Sequence, residues 1–318
     1  MTGEIRSKGD VMMQVFPYIQ AQGGYDAVVV FDADNLAHPD FLQHMNDALC
    51  AGFQVAEGNR DSKNPEDNWI SCNASIYYWL FNSFIHRARM KIGGSAILNG
   101  TGMMISMDAF ERLGYDVRTL TEDIEFSTQC ALAGERIAFV EQARFYDEQP
   151  CDLGFSLKQR KRWSVGCCQC LGVYGKRLLR QIVKKPSIAC LDLLFTALAP
   201  VVQVAFFVLS VVMTIDMFLG LYPTVFSGLF LLLFGLLSGA LAYVLQVCMA
   251  VWGTFLQKRR IRNFLPAALL FPVYIMTWIP VNIMCLFHPK TSWEPIKHER
   301  AIPLERMEEG EKIDASQG

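Results

Sequence analysis

The chain has 318 residues, of which 52% are hydrophobic and only 19% are charged. Its 29 basic and 31 acidic residues give a net charge of -2, so no overall field favours nucleic acid as a partner. The composition up to about Trp163 is typical of a soluble α/β protein, whereas the region from Cys190 to Phe287 is nearly free of charge. That contrast excludes both a purely soluble enzyme and a disordered chain. The ten cysteines lack the spacing of a secreted disulfide framework, which favours a reduced, cytoplasm-facing catalytic part.

The first half of the chain alternates segments of strand length and helix length. The run from Ala27 to Phe31 is apolar at every position, which is typical of a central parallel strand buried on both faces. Further strands are predicted at 53–57, 98–106 and 136–140, and helices at 40–49, 68–92, 124–133 and 156–170. The aromatic residues between Trp69 and Trp79 have two interpretations, the packing face of a helix or the lining of a sugar path.

Three apolar segments follow. Two of them, 193–215 and 225–252, contain no charged residue and are long enough to span a bilayer. The third, 263–287, carries Pro266, Pro272 and Pro280, so it either crosses the membrane or forms a broken, re-entrant or interfacial segment, and we favour the latter.

Basic residues flank the first two apolar segments on their outer sides. By the positive-inside tendency both flanks are cytoplasmic, so these segments form an out-and-back hairpin. A simple crossing by the third would put Lys290, Lys297 and Arg300 on the far side, against that tendency. The basic stretch from Gly172 to Val183 is predicted as an amphipathic helix on the inner surface. The flanking cations are Lys176, Arg177, Arg180, Lys184 and Lys185 before the first segment, and Lys258, Arg259, Arg260 and Arg262 after the second.

Asp32 and Asp34 come directly after the first strand and are separated by one residue. In an extended backbone such residues point the same way, and ligands of α/β sheets bind beyond the carboxyl ends of strands. Two carboxylates there suit Mg²⁺ or Mn²⁺ bridging a diphosphate, although Asp-x-Asp-Asn is also ordinary turn chemistry.

Two further groups of residues point to chemistry. Glu122 and Asp123 occupy the first turn of a predicted helix, where Asp123 could accept a proton from a hydroxyl or merely complement the helix dipole. Gln159, Arg162 and Trp163 share one helix face, which offers an amide, a phosphate-binding guanidinium and a flat ring. The alternative for this face is a basic juxtamembrane helix with an interfacial tryptophan.

Taken in order, Asp32-Ala33-Asp34, Thr121-Glu122-Asp123 and Gln159-Arg-Lys-Arg-Trp163 before membrane spans resemble the family 2 glycosyltransferases. The similarity is to the membrane-integrated branch that includes cellulose, chitin, hyaluronan and poly-N-acetylglucosamine synthases, and it extends from about Ile5 to the end of the hairpin. It implies an α/β GT-A (Rossmann-like) fold, a nucleotide-sugar donor, usually a UDP-sugar, and a glycan or lipid acceptor.

The resemblance also implies roles for individual residues. Asp32 and Asp34 would hold Mg²⁺ or Mn²⁺ and the diphosphate, and Asp123 would be the general base of an inverting transfer. Glu122 would stand beside that base, and the remaining matched residues would border the donor and acceptor: Gly100, Thr101, Gly102, Gln159, Arg162 and Trp163.

The resemblance also has a departure. In the family, a first strand, a helix and a second acidic strand end precede the matched segment, whereas here Arg6-Ser7-Lys8-Gly9-Asp10 already resembles a stretch midway through the catalytic domain. The chain is therefore expected to be truncated at its N-terminus, as a fragment or through a start set too late, with apolar surface exposed at one side of the sheet. The alternative function is a non-catalytic fragment or membrane scaffold derived from such a synthase.

The expected organisation has four parts. These are a partial GT-A domain at 1–170, an amphipathic interfacial helix at 171–189, a transmembrane region at 190–288 and a cytoplasmic tail at 289–318. The expected location is a bacterial cell membrane, with the catalytic part on the cytoplasmic side. Accessory subunits are compatible with this organisation. No nucleic acid is expected as a partner.

Overall fold

A computed structural model describes residues 7–219 and 225–289 of the chain. The basic residues at 290, 297 and 300, the tail beyond 289 and the predicted start of the resemblance at Ile5 lie outside the described residues. An α/β part comes first and a helical part follows. The strands are Ala27–Val30 (β1), Leu36–Ala37 (β2), Val55–Ser62 (β3), Met103–Ser106 (β4) and Ile137–Asp147 (β5).

The helices of the α/β part carry the numbers α1 to α6, and those of the helical part α7 to α11. A π-helical turn, Phe81–His86, joins α3 to α4. The helices are Lys8–Gln22 (α1), Phe41–Cys50 (α2), Trp69–Leu80 (α3), Arg87–Lys91 (α4), Met107–Leu113 (α5), Glu122–Ala133 (α6), Leu153–Lys184 (α7), Ile188–Phe218 (α8), Val225–Leu256 (α9), Ile261–Met276 (α10) and Trp278–Phe287 (α11).

The described residues form a mixed five-stranded sheet in the order β1-β4-β3-β5-β2. Among the described strands only β3 and β5 pair in parallel, and the other pairs are antiparallel. Within the described residues the prediction of β1 as a central parallel strand is wrong, because there β1 lies at the edge of the sheet and pairs with antiparallel β4. Its continuous apolar run has another cause: Val28 and Val30 pack into one core cluster, and Ala27 and Val29 pack into a second cluster on the opposite face.

Helix α1 was not predicted. It begins with a capping box, in which the Ser7 hydroxyl accepts from the Asp10 backbone N–H and the Asp10 carboxylate accepts from the Ser7 N–H. Met12 and Phe16 on its inner face pack into the first core cluster, beside β4 and α6. This packing fixes Lys8, in the first turn, close to the end of β1.

Helix α7 is one helix of 32 residues where two segments were predicted. Asp152 caps it, and Ser156 is a buried residue of the next turn rather than the cap. The sequence around Gly172 contains no proline, so the backbone can remain helical through the predicted boundary between 170 and 171. The predicted catalytic helix and the predicted interfacial helix are therefore the first and second halves of one continuous helix.

Within residues 7–219 and 225–289, three helical segments are long and apolar enough to cross a membrane: Ile188–Asp216, Gly228–Leu256 and Ile261–Phe287. The third is broken at Thr277 into α10 and α11. Helix α10 packs against α3 and α9, and α11 packs against α7 and α8. The third segment therefore contacts α3 through its first half and α7 through its second half, while most of α9 is exposed.

Candidate active site

A cavity of about 410 Å³ lies between the end of β1, the start of α6, the first half of α7 and the helices α8, α10 and α11. Five of the predicted site residues line it, although they come from three separate parts of the sequence. They are Asp32, Asp123, Gln159, Arg162 and Trp163. The fold thus brings the three motifs together around one space.

Asp32 follows β1 and presents its carboxylate to the cavity, where its side chain is 47% exposed. Its Oδ1 accepts from the ammonium of Lys8 at 2.6 Å, and the same ammonium donates to the Gly100 carbonyl. Lys8 therefore joins the two predicted motifs and adds a positive charge that sequence reasoning missed. The position of Lys8 in the capping-box turn of α1 was the available signal.

Thr101 and Asn35 hold the segment after β1 in place. The Thr101 hydroxyl accepts from the Asp32 backbone N–H at 3.0 Å and donates to the Asn35 amide oxygen. Asn35 in turn donates to Asp147 at 2.9 Å. Asp34 lies beside Asn35, away from the cavity wall. The structure thus places Asp32 on the cavity wall and Asp34 outside the lining of the cavity.

Gly100 and Gly102 have backbone conformations that other residues rarely adopt, with φ of +80° and +66°. A Cβ on Gly100 would lie 3.2 Å from Asp123 Oδ2, so this turn passes directly beside the carboxylate of α6. A Cβ on Gly102 would collide with the ring of Phe145. Glycine is required at both positions for this close approach.

Glu122 and Asp123 lie in the first turn of α6 and are half-buried; Asp123 lines the cavity, whereas Glu122 lies outside its lining. Burial raises the pKa of both carboxyl groups, that of Glu122 to about 7, and the charge of Asp123 adds to the shift of Glu122. The positive charges of Lys8 and Arg162 oppose this rise. A carboxylate with a raised pKa is a stronger base than an ordinary aspartate, which is the property that proton abstraction needs.

Trp163 lies at one end of a row of aromatic rings. Its indole is 6.2 Å from that of Trp278, the Trp278 ring is 6.2 Å from Tyr77, and Tyr77 is 6.1 Å from Phe81, with interplanar angles between 24° and 38°. All four side chains line the cavity. Trp79 is fully buried in the core, as the packing interpretation predicts, whereas Tyr77 lines the cavity, and the interpretation as a sugar path stays a prediction.

A buried carboxyl group that sequence reasoning missed supports the glycine turn. Both oxygens of Glu57 accept from Asn99, one from its backbone N–H and one from its side-chain amide. Burial raises the pKa of Glu57 well above its ordinary value. Asn99 lines the cavity and also contacts His86, whose pKa burial lowers to about 3, so this imidazole is neutral. No local motif marks Glu57, which lies within strand β3.

Two more arginines reach the cavity. Arg60 pairs with Asp147 and donates to the Tyr78 hydroxyl at 2.9 Å, and the carboxylate of Asp147 helps to raise the pKa of Arg60 against burial. Arg89 pairs with Asp192 of α8 at 2.7 Å. These ion pairs connect the cavity wall to the sheet and to the first membrane-type helix.

The cavity continues between the apolar helices, where polar side chains are unusual. The Ser164 hydroxyl of α7 donates to the Asn282 amide oxygen of α11 at 2.6 Å, and Asn282 donates to Gln203 of α8. Asn282 and Gln203 both line the cavity. A polar path therefore leads from the carboxylates into the helical part.

The donor set at Asp32 is compatible with a divalent cation. Within the described part of the chain no cluster of three or more His, Cys, Asp or Glu side chains could hold a metal ion. Mg²⁺, however, is commonly held by one or two carboxylates together with water and substrate phosphates, and carboxylate oxygen also suits Mn²⁺. The half-exposed carboxylate of Asp32 on the cavity wall provides such a ligand, so these residues fit a cation that arrives with a diphosphate.

Comparison with known proteins identifies the family. The model of "Glycosyl transferase family group 2" matches residues 27–281, which is most of the chain. The chain belongs to this family. The predicted resemblance to this family is thereby confirmed from residue 27 onward; the matched region contains each of the site motifs and extends past the hairpin through most of the third apolar segment.

Two plant proteins are similar to part of the chain. Probable glucomannan 4-beta-mannosyltransferase 14 from Arabidopsis thaliana is 27% identical over 175 residues, which cover 51% of this chain and 30% of that protein. Glucomannan 4-beta-mannosyltransferase 7 from the same plant is 23% identical over 171 residues, or 52% and 29% of the two chains. The matched part of the chain thus spans less than a third of the length of these relatives.

Proposed function

We propose that the protein transfers a sugar from a nucleotide-sugar donor to a glycan acceptor at a membrane surface. The observation that carries this proposal is the meeting of Asp32, Asp123, Arg162 and Trp163 around one cavity. The family supplies the reaction class, and the names of the two plant relatives describe transfer of mannosyl groups to a polysaccharide. The expectation of a UDP-sugar donor remains a prediction.

The donor's diphosphate would lie against Asp32, Lys8 and Arg162. Lys8 already approaches Asp32, and the guanidinium of Arg162 faces the same space, so two cations are available to hold phosphate oxygens. A bound Mg²⁺ or Mn²⁺ at Asp32, with Asp34 behind it, would neutralise charge on the leaving diphosphate. Gly100 and Thr101 would shape the same wall through their backbone and hydroxyl.

Asp123 would act as the general base. Its carboxylate lines the cavity next to Gly100, and its raised pKa increases its affinity for the acceptor's proton. In the proposed step Asp123 accepts the proton of an acceptor hydroxyl, the hydroxyl oxygen forms a bond to the anomeric carbon, and the bond to the nucleoside diphosphate breaks with inversion. Glu122 would tune this base through its charge.

The acceptor would lie along the aromatic row from Trp163 to Phe81. Flat rings at intervals of about 6 Å, each lining the cavity, suit the apolar faces of successive sugar rings. Gln159 and the amides at 203 and 282 would supply hydrogen bonds to sugar hydroxyls. These features favour a glycan over a simple lipid acceptor, and they disfavour the alternative of a non-catalytic scaffold, which has no need of a basic carboxylate.

We also propose that the catalytic part faces the cytoplasm, because basic residues adjoin α8 and α9 on the side of the catalytic domain. Arg259, just after α9, pairs with buried Asp61 of β3 at 3.2 Å and fixes that side of the hairpin to the sheet. The assignment to a bacterial cell membrane and the presence of accessory subunits remain predictions.

The donor site is tested by measuring nucleotide release from a panel of UDP- and GDP-sugars, using the whole chain in a bilayer disc. We expect release from one donor with Mg²⁺ or Mn²⁺, its loss on chelation, and a fall of about 10²-fold or more in Asp32→Asn. Asp26→Asn is the matched control, since Asp26 is exposed just before β1. Release that survives both chelation and Asp32→Asn would contradict the proposed donor site.

A further inference from the structure

A second cavity, of about 470 Å³, lies away from the active site between α5, α6 and α7. Three arginines from separate segments line it: Arg112, Arg118 and Arg177. The first two each pair with a carboxylate, at 2.6 Å and 2.7 Å, and are themselves more than half exposed. Arg177 lies over the ring of Tyr174, at 5.5 Å, and belongs to none of the described ion pairs. Since Glu135 and Asp116 offset the first two arginines, Arg177 leaves the cavity with an excess of one positive charge, and its side chain is exposed to solvent.

The adjoining half of α7 continues this positive surface up to the first apolar segment. Between residues 171 and 187 the chain contains five cations and no acid. Its inner side chains, Tyr174 and Leu178, pack against α6 and the start of α8. Its outer face also exposes Val173, Leu179 and Val183, at 51%, 56% and 77%. A helix face that combines cations with exposed aliphatic side chains, directly before a candidate membrane span, is typical of contact with a lipid surface.

We propose that this face rests on the membrane and that the second cavity binds the phosphate headgroup of an anionic phospholipid. Charge complementarity favours this occupant, because each Lys or Arg near an anionic bilayer contributes to binding. In addition, the planar guanidinium group of arginine can donate two hydrogen bonds to the oxygens of one phosphate. The exposed aliphatic side chains favour a lipid over a free anion, since only a lipid surface would cover them. Ile188, where α8 begins, is 53% exposed and continues the same surface.

Hydrogen bonds connect the cavity to residues 118–121, the catalytic loop that leads into α6. Tyr174 donates to Glu125 Oε1 at 2.9 Å, and Glu125 Oε2 accepts from the backbone N–H groups of Arg118 and Thr119 at 2.7 Å and 2.6 Å. Arg118 and Thr119 lie just before α6, and Asp123 lies in the first turn of that helix. A headgroup held by Arg118 and Arg177 would therefore steady the loop that positions the proposed base. This effect on transfer, unlike the binding itself, rests on the proposed function.

Binding is tested first, without any reference to transfer. The detergent-purified chain is titrated with phosphatidylglycerol or phosphatidylcholine, and bound lipid is counted by native mass spectrometry. We expect preference for phosphatidylglycerol, with binding weakened roughly tenfold or more in the variant Arg118→Gln plus Arg177→Gln. Arg144→Gln is the matched control, because Arg144 is an exposed arginine of β5 outside the cavity. If the double variant folds poorly, Arg177→Gln alone provides the same comparison.

Equal binding of the two lipids, or a double variant that retains phosphatidylglycerol as well as Arg144→Gln does, would overturn the proposal. Displacement of the lipid by an equal concentration of inorganic phosphate would also overturn it, because the site would then be a simple anion site. The effect on transfer is measured in discs with and without phosphatidylglycerol, where we expect faster nucleotide release with the anionic lipid and loss of that gain in Tyr174→Phe. Selective lipid binding in a chain that transfers no sugar would refute the proposed function and leave the lipid site standing.

Discussion

At the scale of single residues, the proposed chemistry depends on a few carboxyl groups whose surroundings differ. Asp32 is half exposed and held by Lys8, whereas Asp123 lies against Gly100 and has a raised pKa. Such differences in environment separate a group that binds cations from a group that accepts protons. The sequence motifs predicted both residues, but Lys8 and Glu57 could not be found from spacing, because their roles arise from contacts across 24 and 42 positions of the chain.

The neighbouring carboxyl groups predict a specific dependence on pH. Because Asp123 must be ionised to accept a proton and burial raises its pKa, the transfer rate should fall as the pH decreases through that raised pKa. Repulsion between the two carboxylates raises the pKa of Glu122, and the pair titrates as a coupled unit, so removing this repulsion in Glu122→Gln should move the acid limb of the rate profile to lower pH. The measurement is the pH profile of kcat/KM for both proteins.

Glu111→Gln serves as the control, since Glu111 is an exposed residue of α5 that contacts Gln20. It should leave the profile unchanged. An acid limb that stays in place, or moves to higher pH, in Glu122→Gln would show that the two carboxyl groups are not electrostatically coupled in the reaction.

At the scale of secondary structure elements, the site depends on how closely α7 approaches the start of α6. Gly166 of α7 is the contact point, because a Cβ there would lie 2.3 Å from Thr121 Oγ1 and 2.4 Å from Thr121 Cγ2. Helix periodicity predicted that Gln159, Arg162 and Trp163 share a face, and the cavity confirms that they do. It could not predict that α7 continues to Lys184, since its second half is held by packing against α6 and α8.

A second prediction follows from this contact. Gly166→Ala should push the segment at Thr121 away from α7 and lower the transfer rate by about tenfold or more, since small displacements of reacting groups are costly. The overpacking penalty of about 1–3 kcal/mol is partly offset by the gain of about 1 kcal/mol in helix propensity, so we expect the free energy of unfolding to fall by about 2 kcal/mol at most and the melting temperature by a few degrees.

Gly172→Ala is the matched control, because it lies in the same helix with no atom close to the added methyl group. It should retain full activity with equal or greater stability. A Gly166→Ala protein with the same rate as Gly172→Ala would show that the contact between α7 and Thr121 does not position the catalytic loop.

At the scale of the whole molecule, the catalytic sheet and the membrane-type helices share one cavity rather than forming separate units. Arg89 with Asp192 and Arg259 with Asp61 tie the two parts together across α8 and β3. Hydrophobicity predicted the apolar segments and their approximate ends, because a helix that can span a membrane is recognised from its length and apolar composition, without knowledge of its tertiary contacts. The sheet order could not be predicted, because a continuous apolar run indicates that both faces of a strand are buried but not which strands pair with it. The close packing of α10 on α3 and of α11 on α7 supports the interfacial interpretation of the third segment, which remains a prediction.

The most direct measurement compares sugar transfer by the whole chain and by Asp123→Asn, in the same bilayer disc, with the donor that supports release. Asp108→Asn is the matched control, because Asp108 also lies in the first turn of a helix but is exposed and outside the cavity. Loss of the proposed base should reduce kcat by about 10²- to 10⁴-fold in Asp123→Asn, with Asp108→Asn unchanged. Transfer by Asp123→Asn at the rate of the control would contradict the central claim that Asp123 removes the acceptor's proton.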